Sequence, residues 1–117
     1  MAAKSGPNLG LSYGWTARES GWNTGMDANL RRVDALLHLS VKSRAQSTPP
    51  ASPAEGDRYI VGPSPADAWA GKAGQIAVRI EGAWEFHAPQ VGWLAFIEDE
   101  AVLSAYKTTG WSPGLAL

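Results

Sequence analysis

Cysteine is missing altogether, and only two histidines and two methionines occur among the 117 residues. Without thiols there is no disulfide framework and no thiolate zinc site, so neither can brace the fold, and the redox compartment is left open. Long apolar runs are also absent, which excludes a transmembrane helix. The opening MAAKSGPNLG places Gly and Pro after Lys4 where a secretory leader carries an apolar stretch, so no signal peptide is expected. Neither charge sign dominates: ten basic and eleven acidic residues leave a formal charge of -1, without the electrostatic footprint of a nucleic-acid binder. What remains, 44% hydrophobic and 18% charged, fits one small globular domain with a terminal extension. A domain this small, unbraced by sulfur or metal, commonly draws support from other subunits, so association inside the cell is expected.

Catalytic patterns are equally scarce. His38 and His87 stand far apart with no metal-ligand spacing, and both read as solvated or hydrogen-bonded side chains. No serine sits in a nucleophile elbow, and a hydrolase triad has no histidine to rest on. Gly71-Lys72-Ala73-Gly74 resembles part of a phosphate loop but lacks the upstream glycine spacing and the following Ser or Thr. Glu98-Asp99-Glu100 as a calcium ligand set, and Glu81 with Glu85 as glycosidase carboxylates, are weaker than their reading as solvated acids at turns. No enzyme activity, metal or cofactor is expected.

The organising stretch is Ala73 to Trp93. Ile76, Val78 and Ile80 alternate with Ala77 and Arg79; Trp84 and Phe86 then alternate with Glu85 and His87, with Glu81-Gly82 between them. This is a β-hairpin. A three-residue turn, Ile80-Glu81-Gly82, sets Val78 opposite Trp84 and Ile76 opposite Phe86, giving one apolar face. Further strands are read at Leu37–Val41, at Asp57–Val61, at Trp93–Ile97 as a central strand, and at Val102–Lys107. Thr48-Pro49-Pro50-Ala51-Ser52-Pro53 is a stiff extended connector. Ser112-Pro113-Gly114 ends the sheet.

The one clear helix spans about 26–37, with Asn23 or Thr24 as cap and Asp27 in its first turn. Met26, Leu30, Val33 and Leu37 form a narrow seam that fits either the domain's own sheet or copies of the helix around a symmetry axis. Ahead of it, Leu9, Leu11, Tyr13 and Trp15 alternate with small or polar residues, the pattern of an arm docking on a neighbouring subunit or on its own domain. The organisation is therefore an extended arm over 1–20, a domain over 21–112 with its β-rich body at about 39–111, and a tail over 113–117. The fold class is α+β, mainly β: one short helix followed by a small antiparallel sheet of about six strands.

Six tryptophans are the compositional excess. They supply bulk to a small core and to subunit contacts, or a platform for sugar rings. For the second use Trp69, standing in a loop, is the best-placed contact, joined by Trp84 and Trp93.

Taken in order, Gly21-Trp22-Asn23-Thr24-Gly25-Met26-Asp27-Ala28-Asn29-Leu30, the segment from Pro49 to Gly62 reading PPASPAEGDRYIVG, Ala68-Trp69-Ala70-Gly71, and Gly92-Trp93 before the acidic turn resemble a domain of unknown function. That domain occurs in tail-fibre and spike proteins of alphaproteobacterial prophages and gene transfer agents. The resemblance runs from about Trp22 to Trp111 and brings no catalytic residues. It implies a virion structural part on the surface of a phage-like particle, assembled in the bacterial cytoplasm. Unlike long fibre members, the chain stops soon after Trp111, which suits a spike base or adaptor between the capsid protein and a separate fibre. Closed homo-oligomers follow, a pentamer at a capsid vertex or a trimer under a fibre. The other expected function is a carbohydrate-binding module for host surface polysaccharide. No nucleic-acid or membrane partner is expected.

Overall fold

A computed structural model describes residues 3–117; residues 1 and 2 of the arm lie outside the described residues. The chain divides into two compact units, the first ending at Leu37 and the second running from His38 to Leu117. The fold is α+β and mainly β, with one helix and several small sheets.

In the first unit the arm is not a lone extended strand. Lys4–Ser5 (β1) pairs antiparallel with Ser12–Tyr13 (β2), and the Gly6 N–H donates to the Leu11 carbonyl at 2.7 Å to close the loop. Residues 4–5 carry no alternation, which is why a partner for β2 was not legible. The helix α1 covers Trp22–Leu36, one turn earlier than its apolar seam suggests. Gly21 takes the N-cap position in the left-handed region, at φ 83, with no side-chain cap bond. Asn23 and Thr24 thus lie inside the first turn rather than capping it, and Asp27 lies beyond that turn. Leu37 has already left the helix, with extended φ and ψ of -72 and 127.

The arm is fastened to α1 at two residues one turn apart. Asn29 donates from Nδ2 to the Ser12 carbonyl and accepts from the Ser12 N–H on Oδ1, both at 2.8 Å, so its amide completes β2 as a neighbouring strand would. A Cβ on Gly25 would overlap Cζ2 of Trp15, so only glycine lets that indole lie against the helix. Between arm and helix, the exposed Glu19 carboxylate accepts from both the N–H and the hydroxyl of Thr16 at 3.0 Å, and the backbone N–H in particular holds its pKa below the usual value.

The second unit holds two sheets. Arg58–Ile60 (β4), Ile76–Ile80 (β5) and Ala83–His87 (β6) form an antiparallel sheet in the order β4-β5-β6. The other contains Ser40–Val41 (β3), Leu94–Ile97 (β7), Val102–Lys107 (β8) and Leu115–Ala116 (β10), in the order β10-β8-β7-β3, with Gly110–Trp111 (β9) also pairing to β8. The strand at β7 is internal, as its apolar run implies. Three features depart from the sequence reading. The pairing of β3 with β7 is parallel, and β3 is only two residues long. The tail does not end the sheet, because β10 returns to β8 with Leu115 opposite Leu103.

The hairpin register is the third. Ile80 pairs with Ala83 and Arg79 with Trp84, so the turn is the two-residue Glu81-Gly82, with φ of 51 and 75. Both residues at positive φ make it a type I′ turn, whose twist matches that of the flanking strands. Both faces of β5 are covered, so the hairpin has no single apolar face to set its register. On one face Tyr59, Ala77 and Phe86 form a row across the three strands; on the other Ile60, Ile76 and His87 do, and Ile60, Ile76, Ala77 and His87 are all buried.

Candidate functional site

The first of those faces carries the aromatic side chains. Tyr59, Val61 and Ala77 form its floor, and Trp69 closes it from a 3₁₀ turn at Asp67–Trp69, with Trp84 and Phe86 packed alongside. The centroid of Trp69 lies 5.3 Å from that of Trp84 at 82° and 5.5 Å from that of Tyr59 at 50°. Tilted and edge-on contacts of this kind are the favoured geometry of aromatic pairs. Burial, mainly, raises the Tyr59 hydroxyl above its ordinary pKa.

The consequence for Trp69 is a correction. It is 0% exposed, so the residue best placed in sequence to meet a sugar is closed off by its own sheet. The loop carrying it folds inward because a large indole gains more from burial than from solvent. Trp84 and Trp93 remain half-buried. Two cations lie on the rim of this cluster: the Arg79 guanidinium 5.5 Å from the Trp84 ring, and the Lys72 ammonium 5.2 Å from the Phe86 ring.

The arm and seam residues are distributed unevenly. In the arm Leu9, Leu11 and Trp15 are half-buried while Tyr13 is 51% exposed; on the helix Met26 and Val33 are half-buried while Leu30 is 61% and Leu37 63% exposed. Trp22, absent from the expected seam because the helix starts earlier than expected, is 51% exposed as well. These residues do not converge on a cavity. Tyr13, Trp22, Leu30 and Leu37 are left as large apolar side chains in solvent. In the second unit Leu94, Leu103, Ala105, Pro113 and Leu115 line a shallow groove of about 380 Å³.

A further centre was missed in the sequence. Arg44 bridges the acidic turn and the bend before β10: Nε and Nη2 donate to the two Glu100 oxygens at 2.9 and 2.7 Å, and Nη1 and Nη2 donate to the carbonyls of Ser112 and Pro113, each at 2.7 Å. Ser104, 0% exposed, donates from Oγ to the same Ser112 carbonyl at 2.8 Å. No spacing rule connects an arginine in a loop to partners that distant. Hydroxyls and guanidinium here are engaged in holding backbone, with no nucleophile poised beside a base. Among the described residues no group of three or more His, Cys, Asp and Glu lies close enough to hold a metal ion, and no helix is long and apolar enough to cross a membrane.

A family model described as a protein of unknown function, DUF2793, matches residues 26–112. The chain belongs to that family. Comparison with curated proteins gives no match. Within this DUF2793 chain the segments that carried the resemblance have architectural work. Gly25 and Asn29 hold the arm; the Glu55 carboxylate accepts from the Glu81 N–H at the hairpin turn; Gly56 donates to the Arg79 carbonyl at 2.7 Å; Asp57 accepts from the Ala54 N–H at 2.9 Å. Tyr59 and Trp69 make the core.

Proposed function

We propose that this chain is a non-enzymatic structural part of a phage-like particle, a spike base or adaptor joining the capsid protein to a host-attachment fibre. The observation that carries the reading is how the motif residues are used. They build and lock a scaffold, and outside that scaffold Tyr13, Trp22, Leu30 and Leu37 remain in solvent. Large apolar side chains left in solvent favour association where a partner can cover them. Membership of a family of unknown function agrees with this reading without adding to it, and the link to prophage and gene-transfer-agent spikes rests on the sequence resemblance. The expected assembly is a closed homo-oligomer, a pentamer at a capsid vertex or a trimer beneath a fibre, on the surface of a particle assembled in the bacterial cytoplasm.

The test is particle incorporation. Deleting residues 1–20, or replacing Leu30 with Glu, should remove the protein from purified particles while the soluble chain still accumulates. Particles carrying normal amounts of either variant would refute the reading.

Recognition of a host surface polysaccharide is the second reading. It survives the burial of Trp69 only through the half-buried tryptophans, and the observation favouring it is the pair of cations over the Trp84 and Phe86 rings.

A further inference from the structure

We infer that Arg79 and Lys72, held over the rings of Trp84 and Phe86, form a binding strip for an acidic polysaccharide, the carboxylates of its sugars being the recognised groups. This rests on the second reading above and makes it specific.

Trp84 and Phe86 lie on β6, the outer strand of its sheet, two residues apart and on the same face. That spacing sets their side chains about 7 Å from each other along the strand. Arg79 is the direct cross-strand neighbour of Trp84, so its guanidinium is laid on the indole by the register itself. Lys72 reaches Phe86 from the loop that carries Trp69. The strip thus presents two positive charges over rings that stand at a strand repeat.

Comparison with Arg44 shows what is unused. Arg44 directs its donors at Glu100, Ser104, Ser112 and Pro113. Among the described residues the Arg79 guanidinium and the Lys72 ammonium make no hydrogen bond and no ion pair, only their ring contacts. A guanidinium pre-oriented on an aromatic ring, with its donors free, fits a carboxylate two-pronged and loses little side-chain freedom in doing so. Since the cations already occupy these ring faces, the sugar is held by charge and hydrogen bonds, with ring edges beside its C–H groups. A nucleic-acid strand is the poorer fit, because two cations neutralise too few of its densely spaced phosphates.

The experiment follows tryptophan fluorescence of the full chain during titration with polygalacturonate oligosaccharides, their methyl-esterified neutral counterparts, and an oligo-dT strand. The expected result is saturable binding of the acidic oligosaccharide that weakens with added salt, with no binding of the esterified form or of oligo-dT. Arg79→Met and Lys72→Met should each weaken it about tenfold or more. Arg79→Lys, which keeps stem and charge and therefore the fold, should weaken it less than Arg79→Met, since only the fork is lost; melting curves verify that each variant is folded. Unchanged affinity in both Met variants, or tighter binding of oligo-dT, would overturn the inference. Binding of the neutral form but not of the acid would overturn it while leaving the glycan reading standing; no binding of any glycan would sink both.

Discussion

Arg44 and Glu100 meet fork to fork, with Nε 2.9 Å from Oε2 and Nη2 2.7 Å from Oε1, although 56 residues separate them in the chain. The same guanidinium also holds the carbonyls of Ser112 and Pro113, so one side chain ties the loop after β3, the acidic turn between β7 and β8, and the bend that aims β10 at β8. Its side chain is 18% exposed, and a guanidinium that withdrawn from water depends on every acceptor it has. Arg44→Met is therefore expected to lower stability by about 2–3 kcal/mol and to release β10. Urea unfolding, together with amide exchange at Leu115 and Ala116, checks both.

The partner gives a pH dependence. Hydrogen bonds from Arg44, foremost, hold the Glu100 carboxyl below its ordinary pKa, against a smaller opposing effect of burial. A carboxylate whose folded pKa lies below its unfolded one contributes stability above the unfolded value and loses it as pH falls through the folded one. Glu100→Gln should thus cost stability at neutral pH, less than Arg44→Met because the glutamate is 39% exposed, and the deficit should vanish below the usual carboxylate range. The raised pKa of Arg44 has no effect in this window, since the group stays charged throughout. Melting temperatures of wild type and variant across acid pH measure the difference directly.

Gly25 gives a reversal of sign. In an exposed helix Gly→Ala stabilises by about 1 kcal/mol, but here the added Cβ overlaps Trp15. In the full chain Gly25→Ala should destabilise and free the arm, seen as faster proteolysis before Trp22 and a shift in tryptophan emission. In a chain lacking residues 1–20 it should stabilise. The same sign in both backgrounds would show that the arm does not rest on Gly25.

Legibility followed periodicity. The hairpin, β7 and β8 stood out because each repeats apolar residues over four or more positions. Strands of two residues, such as β3 and β10, carry no period, and the parallel pairing of Ser40 with Phe96 joins segments that no turn signal connects. The register slipped because Ile76 and Ala77, on opposite faces of β5, are equally buried, so alternation had nothing to choose between. Trp69 looked available because loops are usually exposed, but a lone indole between alanines is also the cheapest way to roof a small sheet. The apolar spacing of the arm and seam residues was legible, whereas the placing of Arg44, Lys72 and Arg79 depends on where the folded chain brings them.

Glu81 sits at φ 51, a conformation unfavourable for a glutamate, in a turn that favours Asn-Gly. Glu81→Asn should stabilise by about 0.5–1 kcal/mol, because the N–H to Glu55 belongs to the backbone and is kept. A fall in melting temperature would mean that the Glu81 side chain makes a contact worth more than the relieved turn.

The account as a whole depends on association through the apolar side chains left in solvent. Native mass of the full chain, measured across a dilution series and repeated with Leu30→Glu, tests that most directly. A closed assembly of five or three copies that persists on dilution and falls to monomer in the variant is the predicted result. A wild-type chain that is monomeric and fully folded at every concentration would contradict it.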